Sequence, residues 1–388
     1  MINRGIYSFS IRDSREHNVI LAFILLGCLQ IAAFAAPLDP RGNQFIGFTR
    51  FGAFEKSRGG RVNDLVLTSP QIIARLKADQ LIASWNVRLP AGTWIEIELR
   101  AIYPDHATKF YKMGSWSENS TDHPRQSVLH QKDEDGNVLT DTLVLKEPCD
   151  RFQARITLGS ETRVQPKLKL FSLCLTDSKA PLPPLPPNRL AWGRTIDVPE
   201  RSQMAYPNGG ELCSPTTVSM LMTHWARVLN RPELDHDVPD IVKEVFDPNW
   251  RGTGNWPFNT AYAGSYKGMI GYVTRMSDIS EIEDWIANGI PIGLSVDYDR
   301  LRGRTSRPSG HLVVCVGFTD TGDPVINDPG TSKNVRKIFP RKNLIDAWAY
   351  SHNTVYLIYP ERADVPHDRF GHWHSWTAHQ RIEITSRL

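Results

Sequence analysis

Hydrophobic and polar residues alternate strictly along Trp94-Ile95-Glu96-Ile97-Glu98-Leu99-Arg100, which places Ile95, Ile97 and Leu99 on one face of a strand. Further strands are predicted over 81–87, 138–145, 152–158 and 168–175. Turn residues separate them: Pro90-Ala91-Gly92, Asp135-Gly136-Asn137 and Gly159-Ser160. Short strands at this spacing predict an all-β region over 37–178, read as a β-sandwich or jelly roll. The pattern breaks at Pro181-Leu182-Pro183-Pro184-Leu185-Pro186-Pro187. Prolines at this density hold polyproline II and cannot join a sheet, so 179–190 reads as a semi-rigid linker. Beyond it the period becomes helical. Val218, Leu221, Met222, Trp225 and Leu229 share a face over 215–229. A second helix is predicted over 279–288, ending at Gly289. Strands follow over 290–296, 311–318, 324–327 and 354–359. One helix ahead of a curled antiparallel sheet makes 191–362 an α+β region. The tail, 363–388, carries His367, His372, His374 and His379 at no spacing that fits zinc, and reads as a loose or docked extension.

The first 36 residues read differently. Arg4, Arg12 and Arg15 precede an apolar run over 19–34, and Ala33-Phe34-Ala35 has the form of a cleavage site. The run is too short for a spanning helix, which needs roughly 20 residues. Residues 1–36 are therefore expected to be a signal peptide. The mature chain is expected to be secreted, periplasmic or on the cell surface, with no stable membrane span after cleavage. A minor alternative is lipid attachment at Cys28, within Leu25-Leu26-Gly27-Cys28.

Composition narrows the field little. The 388 residues are 40% hydrophobic and 22% charged, which is ordinary for a globular protein. A net charge of +3 argues against a nucleic-acid partner. Export permits disulfides, and Cys149 with Cys174 would close a loop contributing roughly 3 kcal/mol. Cys315 lies in an apolar run and reads as a small buried hydrophobe. Asp297-Tyr298-Asp299 and Asp133-Glu134-Asp135-Gly136 each lack a full calcium loop and read as solvated turns. No metal or organic cofactor is implied.

Four residues carry chemistry in chain order. Cys213 opens the 215–229 helix pattern, where the positive end of a helix dipole favours a thiolate. Gly310-His311 opens an apolar strand, and a base at a strand end projects toward a facing helix start. His224 is eleven residues along the Cys213 helix, about three turns away, and cannot reach the thiol. Asn327-Asp328-Pro329 ends the next strand, which a 319–323 turn would fold back toward His311. Adjacent strand residues face opposite ways, so only one of Asn327 and Asp328 can orient the imidazole; Asp328 is preferred. Gln203 precedes the Asn208-Gly209-Gly210 loop, which would return it over Cys213 as an oxyanion donor. Nucleophile, base, orienter and oxyanion donor are the parts of a thiol hydrolase.

Gln203, the Cys213-Ser214-Pro215-Thr216 helix start, Gly310-His311 and Asn327-Asp328-Pro329 together resemble the bacteriocin-leader-processing cysteine peptidases and their secreted relatives. The resemblance spans roughly 195–360. It implies a papain-like fold, with Cys213 as nucleophile, His311 as base, Asp328 as orienter and Gln203 as oxyanion donor. It also implies a peptide or protein substrate. The chain lacks the membrane spans and ATPase segment of the transporter-borne members, so double-glycine leader specificity does not follow. Two rivals remain: a non-catalytic binding or adhesion protein on a degenerate peptidase fold, and a cell-wall amidase. The aromatic residues Trp85, Trp94, Tyr103, Phe110, Tyr111 and Trp116 motivate a further expectation, that the β region binds substrate or a cell-surface polymer.

Overall fold

The computed structural model describes residues 39–117, 123–305 and 307–374. The expected signal peptide, its expected cleavage site, Cys28 and His379 lie outside these residues.

Nine strands form the first part of the chain: β1 (Asn43–Phe48), β2 (Glu55–Arg58), β3 (Leu65–Thr68), β4 (Ile72–Arg88), β5 (Thr93–Ala101), β6 (Tyr111–Ser117), β7 (Gly136–Leu139), β8 (Thr142–Ser160) and β9 (Lys167–Thr176). All pairings are antiparallel, and one hydrogen-bonded network in the order β1-β9-β4-β8-β3-β2 joins them, with β5 and β7 also on β8 and β6 on β5. The long strands β4 and β8 bind different partners along their lengths. Their mutual register shifts between Ile73 and Ala78 and again before Gln80. Such bulges bend a strand and let it serve two faces. The strand expected over 138–145 is instead a hairpin. The chain turns at Thr140, whose φ is 60°, and Leu139 pairs with Thr142.

Cys149 and Cys174 are free, which answers the pairing that the sequence left open. Cys149 lies opposite Ala78 on β4 and Cys174 opposite Ile82. Four strand residues separate those partners by roughly 13 Å, well beyond disulfide reach. Burial also corrects the expected aromatic platform. Trp85, Trp94, Trp116 and Tyr111 are all buried and Tyr103 and Phe110 are half-buried, which removes the row of exposed rings that motivated the expectation.

The second part is mixed. Its helices are α1 (Cys213–Leu229), α2 (Val238–Val245), α3 (Trp256–Ser265), α4 (Ile279–Ala287), α5 (Tyr298–Leu301) and α6 (Arg341–Trp348). Its strands are β10 (Arg194–Thr195), β11 (Met269–Arg275), β12 (Ile292–Asp297), β13 (Gly310–Phe318), β14 (Pro324–Asn327), β15 (Arg336–Ile338) and β16 (Thr354–Pro360). They form a curled antiparallel sheet in the order β11-β16-β12-β13-β14-β15, with β10 on β13. The α+β architecture expected here is present. α4 starts as its sequence dictates, with Asp278 and Glu281 completing a reciprocal capping box.

From Pro40 onward the two sheets form one compact unit with a shared core. β4 meets β11 and α3 at the seam. The Asn86 amide donates to the Gly271 carbonyl at 2.6 Å and accepts from the Gly271 N–H, while Ser84 Oγ accepts from the Val273 N–H. Phe258 on α3 packs edge-on against Trp85 and Trp116. The seam also explains Gly271: a Cβ there would lie 2.3 Å from the Thr260 carbonyl oxygen. Backbone cannot yield as a side chain does, so Gly271→Ala should destabilise by about 1–3 kcal/mol. A urea midpoint unchanged from wild type would show that the seam tolerates the insertion.

The Pro-rich segment lies along α4, where the Leu185 N–H donates to Asp278 and the Asn188 N–H to Glu283. Residues 363–374 also dock. The Trp373 ring is buried, Phe45 N–H donates to the Gly371 carbonyl, and Tyr272 donates to the Trp373 carbonyl. His372 is fully buried, with Nδ1 2.6 Å from Glu281 Oε2 and Nε2 2.8 Å from the Pro40 carbonyl. Among the described residues, no group of three or more His, Cys, Asp or Glu side chains is arranged to hold a metal.

Candidate active site

Cys213 is the first residue of α1 and is half-buried. Leu212 caps that end without a side-chain hydrogen bond, so the first N–H groups of the helix remain open to other partners. Residues 214–226 of α1 are all buried, which fixes the helix as a central element and the thiol with it. Ser214 Oγ lies 2.7 Å from Tyr356 Oη on β16, anchoring the helix start to the sheet.

His311 enters from β13, which faces α1. Its imidazole is buried beside the Cys213 thiol, near enough for each group to shift the other's proton affinity. Nε2 lies 2.9 Å from Asp328 Oδ1, which leaves Nδ1 for the sulfur. Asp328 follows β14, the strand that a 319–323 turn returns antiparallel to β13. The side-chain alternation decides between the two carboxyl-end residues. Asn327 points away, with its amide on the Val198 and Pro199 carbonyls and its oxygen accepting from Arg336. Asp328 is fully buried and points to His311. Its Oδ1 also accepts from the Gly330 N–H at 2.9 Å.

The charges support one another. Burial pushes the Cys213 thiol up, but the imidazole hydrogen bond and charge, with the Leu312 and Ser214 N–H groups, outweigh it and hold the thiol below its ordinary value. Burial likewise opposes the imidazolium, yet Asp328 and Cys213 raise His311 to about 9. Burial works against the Asp328 carboxylate too, and His311 with the Gly330 N–H lowers it below the usual range. A thiolate beside an imidazolium is the favoured state.

Gln203 is buried and begins a short 3-10 turn. Its backbone N–H donates to the Pro329 carbonyl, one residue past Asp328. Gly209 sits so close that a Cβ would lie 2.3 Å from the Gln203 carbonyl oxygen. The loop before Cys213 therefore packs on the Gln203 backbone. The side-chain oxygen Oε1 is buried without a partner among the described residues, an unusual cost for a residue with only a packing role. Cys315 behaves as a core residue, buried and pushed up to about 12.

One residue at the site escaped the sequence reading. Tyr298 donates from Oη to Asp328 Oδ2 at 3.1 Å, and its ring centroid is 4.0 Å from that of His311. No local pattern marks it: His311 pairs with Val296 across β12 and β13, and this register brings Tyr298, just past the end of β12, to the His311 end of the sheet. The Asp297-Tyr298-Asp299 stretch is not a solvated turn: Asp297 is buried and caps α5 through the Asp299 and Arg300 N–H groups.

The Peptidase C39-like family matches residues 195–356, a span that holds all of these side chains. The Peptidase C39 N-terminal domain matches residues 63–175. This chain is a relative of the C39-like peptidases. One match lies in the β-rich part of the chain and the other in the mixed part. No curated protein matches the chain. One solved chain, from work on the promiscuous specificity of carbohydrate-binding modules of the β-sandwich superfamily, is 13% identical with a TM-score of 0.14. The match covers 36% of this chain and 61% of that one, and at such a score it carries no argument.

Proposed function

We propose that the protein is an exported cysteine peptidase with a papain-like catalytic region, acting on amide bonds of peptide or protein substrates. The observation that carries this reading is the buried His311–Asp328 pair, 2.9 Å apart, against a half-buried Cys213 at a helix start. In this reading the Cys213 thiolate attacks the substrate carbonyl carbon, and a C–S bond forms. The carbonyl oxygen becomes an oxyanion, met by the Gln203 side-chain amide and the Cys213 N–H. The tetrahedral adduct collapses, the C–N bond breaks, and the amine leaves with the proton from His311. Water then attacks the thioester while His311 takes its proton, and the acid leaves as the thiolate returns. Asp328 holds the imidazole tautomer and the positive charge throughout.

The test is digestion of a mixture of unfolded proteins, with new termini mapped by mass spectrometry, in wild type and in Cys213→Ala. Wild type is expected to generate new termini that are absent with the variant. Equal patterns from both proteins would remove the peptidase reading.

A further inference from the structure

We propose that Tyr298 is a positioning residue that holds Asp328 by its hydroxyl and covers His311 with its ring. The inference rests on the peptidase reading of the same site.

Three independent contacts fix Tyr298. Its hydroxyl donates to Asp328 Oδ2, the oxygen that His311 does not use. Asp328 thus has Oδ1 held by His311 and the Gly330 N–H, and Oδ2 held by Tyr298. A carboxylate held at both oxygens cannot rotate about its C–C bond, so the direction of Oδ1 is set. The ring lies tilted at 33° over the imidazole, with the centroids 4.0 Å apart. On the ring is also a second cation: the Arg302 guanidinium carbon is 3.8 Å from the Tyr298 centroid. A phenol ring in contact with a guanidinium and an imidazolium is favourably placed, because its π face is negative.

The local chain is shaped for this arrangement. The Tyr298 N–H donates to the Ser309 carbonyl, which ties the start of α5 to the start of the His311 strand. A Cβ at residue 330 would lie 2.6 Å from the Tyr298 hydroxyl and 3.1 Å from His311 Cε1. Glycine at 330 is therefore what lets the hydroxyl and the imidazole approach the same carboxylate. The Tyr298 hydroxyl itself stays neutral: burial, then the Asp328 charge, pushes its ionisation well above the ordinary value. It can act only as a donor to Asp328, never as a competing anion.

The hydroxyl and the ring have separable effects. Removing the hydroxyl leaves more negative charge on the carboxylate, which then holds the imidazolium proton more tightly. Removing the ring admits water, which weakens the Asp328–His311 attraction. The two changes should move the imidazolium limb in opposite directions. A residue that only filled space would not do this.

The experiment is the pH profile of Cys213 alkylation by iodoacetamide in wild type, Tyr298→Phe, Tyr298→Ala and His311→Ala. Tyr298→Phe keeps the fold-determining ring and, because the more tightly held imidazolium favours the thiolate, is expected to react about threefold faster at the acid end of the profile, with its alkaline limb moved upward. Tyr298→Ala should react about tenfold more slowly, with the limb moved downward, since a one-unit rise in thiol pKa lowers the thiolate fraction tenfold. If Tyr298→Phe superimposes on wild type, the proposal is overturned, whether or not Tyr298→Ala folds. If His311→Ala superimposes on wild type, the peptidase reading itself fails, and that outcome is distinct because it does not involve Tyr298.

Discussion

His311→Ala should slow alkylation of Cys213 at pH 6 by about 10²-fold or more. Without the imidazole, burial is the strongest influence left on the thiol, and burial favours the neutral form. The variant should therefore label only as pH rises past the ordinary thiol range near about 8.5. Wild type should label readily near pH 6. Peptide hydrolysis needs in addition a protonated His311 to hand a proton to the leaving amine, so its profile should fall on the alkaline side near pH 9, where His311 loses that proton. Asp328→Asn removes the carboxylate that favours the imidazolium, so this limb should move downward. These limbs belong to the coupled pair rather than to either side chain alone. Identical alkylation profiles for wild type and His311→Ala would show that the thiol is not activated by the imidazole.

The second large effect is on stability. Glu281→Ala should destabilise the protein by about 3–5 kcal/mol, because it leaves His372 buried without its anion. The same carboxylate also accepts from the Ser277 N–H and hydroxyl and from the Asp278 N–H, so the helix cap fails together with the ion pair. Glu281→Gln separates the two, since it keeps a cap acceptor and removes the charge. The His372 proton is held above its ordinary value by Glu281 against the effect of burial. A raised histidine contributes stability that is complete below about pH 6.5 and is lost as pH rises through its folded-state value. Denaturant midpoints in wild type should therefore decline on the alkaline side, and this decline should be weaker in Glu281→Gln. A Glu281→Ala midpoint within error of wild type would show that the buried pair contributes nothing.

The parts of the fold that were legible in the sequence are those with a face in a different environment from its opposite. β5 alternates because one side meets the core. α4 carries both its capping residues and a terminal glycine. β12, β13, β14 and β16 are short apolar runs bounded by turn residues. α3 was not legible, and its position explains why. It is wedged between β4 and β11, so Pro257 through Gly264 are all buried and no polar face marks a helical period. The hairpin at Thr140 was also missed, because residues on both sides of it are apolar and read as one strand. β8 was broken in two by Lys146-Glu147-Pro148, whereas the bend there is accommodated inside one long strand. At the site, Cys213, His311 and Asp328 were legible because each sits at an element boundary that the sequence marks. Tyr298 was not, because its place depends on a register between two strands, and register is a long-range property.

The docking of residues 371–373 on β1 has a consequence for the order in which the molecule is built. His372 reaches Pro40 across 332 positions of sequence, and Gly371 accepts from Phe45. Contacts of that separation are slow to form, because a long loop must close before any of them stabilises the product. During synthesis the first nine strands emerge with the seam face of β4 bare, including the Ser84 and Asn86 side chains that later bind β11. They wait for α3 and then for β11, and β1 waits longer still for residues 371–373. The growing chain thus carries an open sheet face from the completion of β4 until β11 has emerged, an interval in which bare apolar surface favours aggregation.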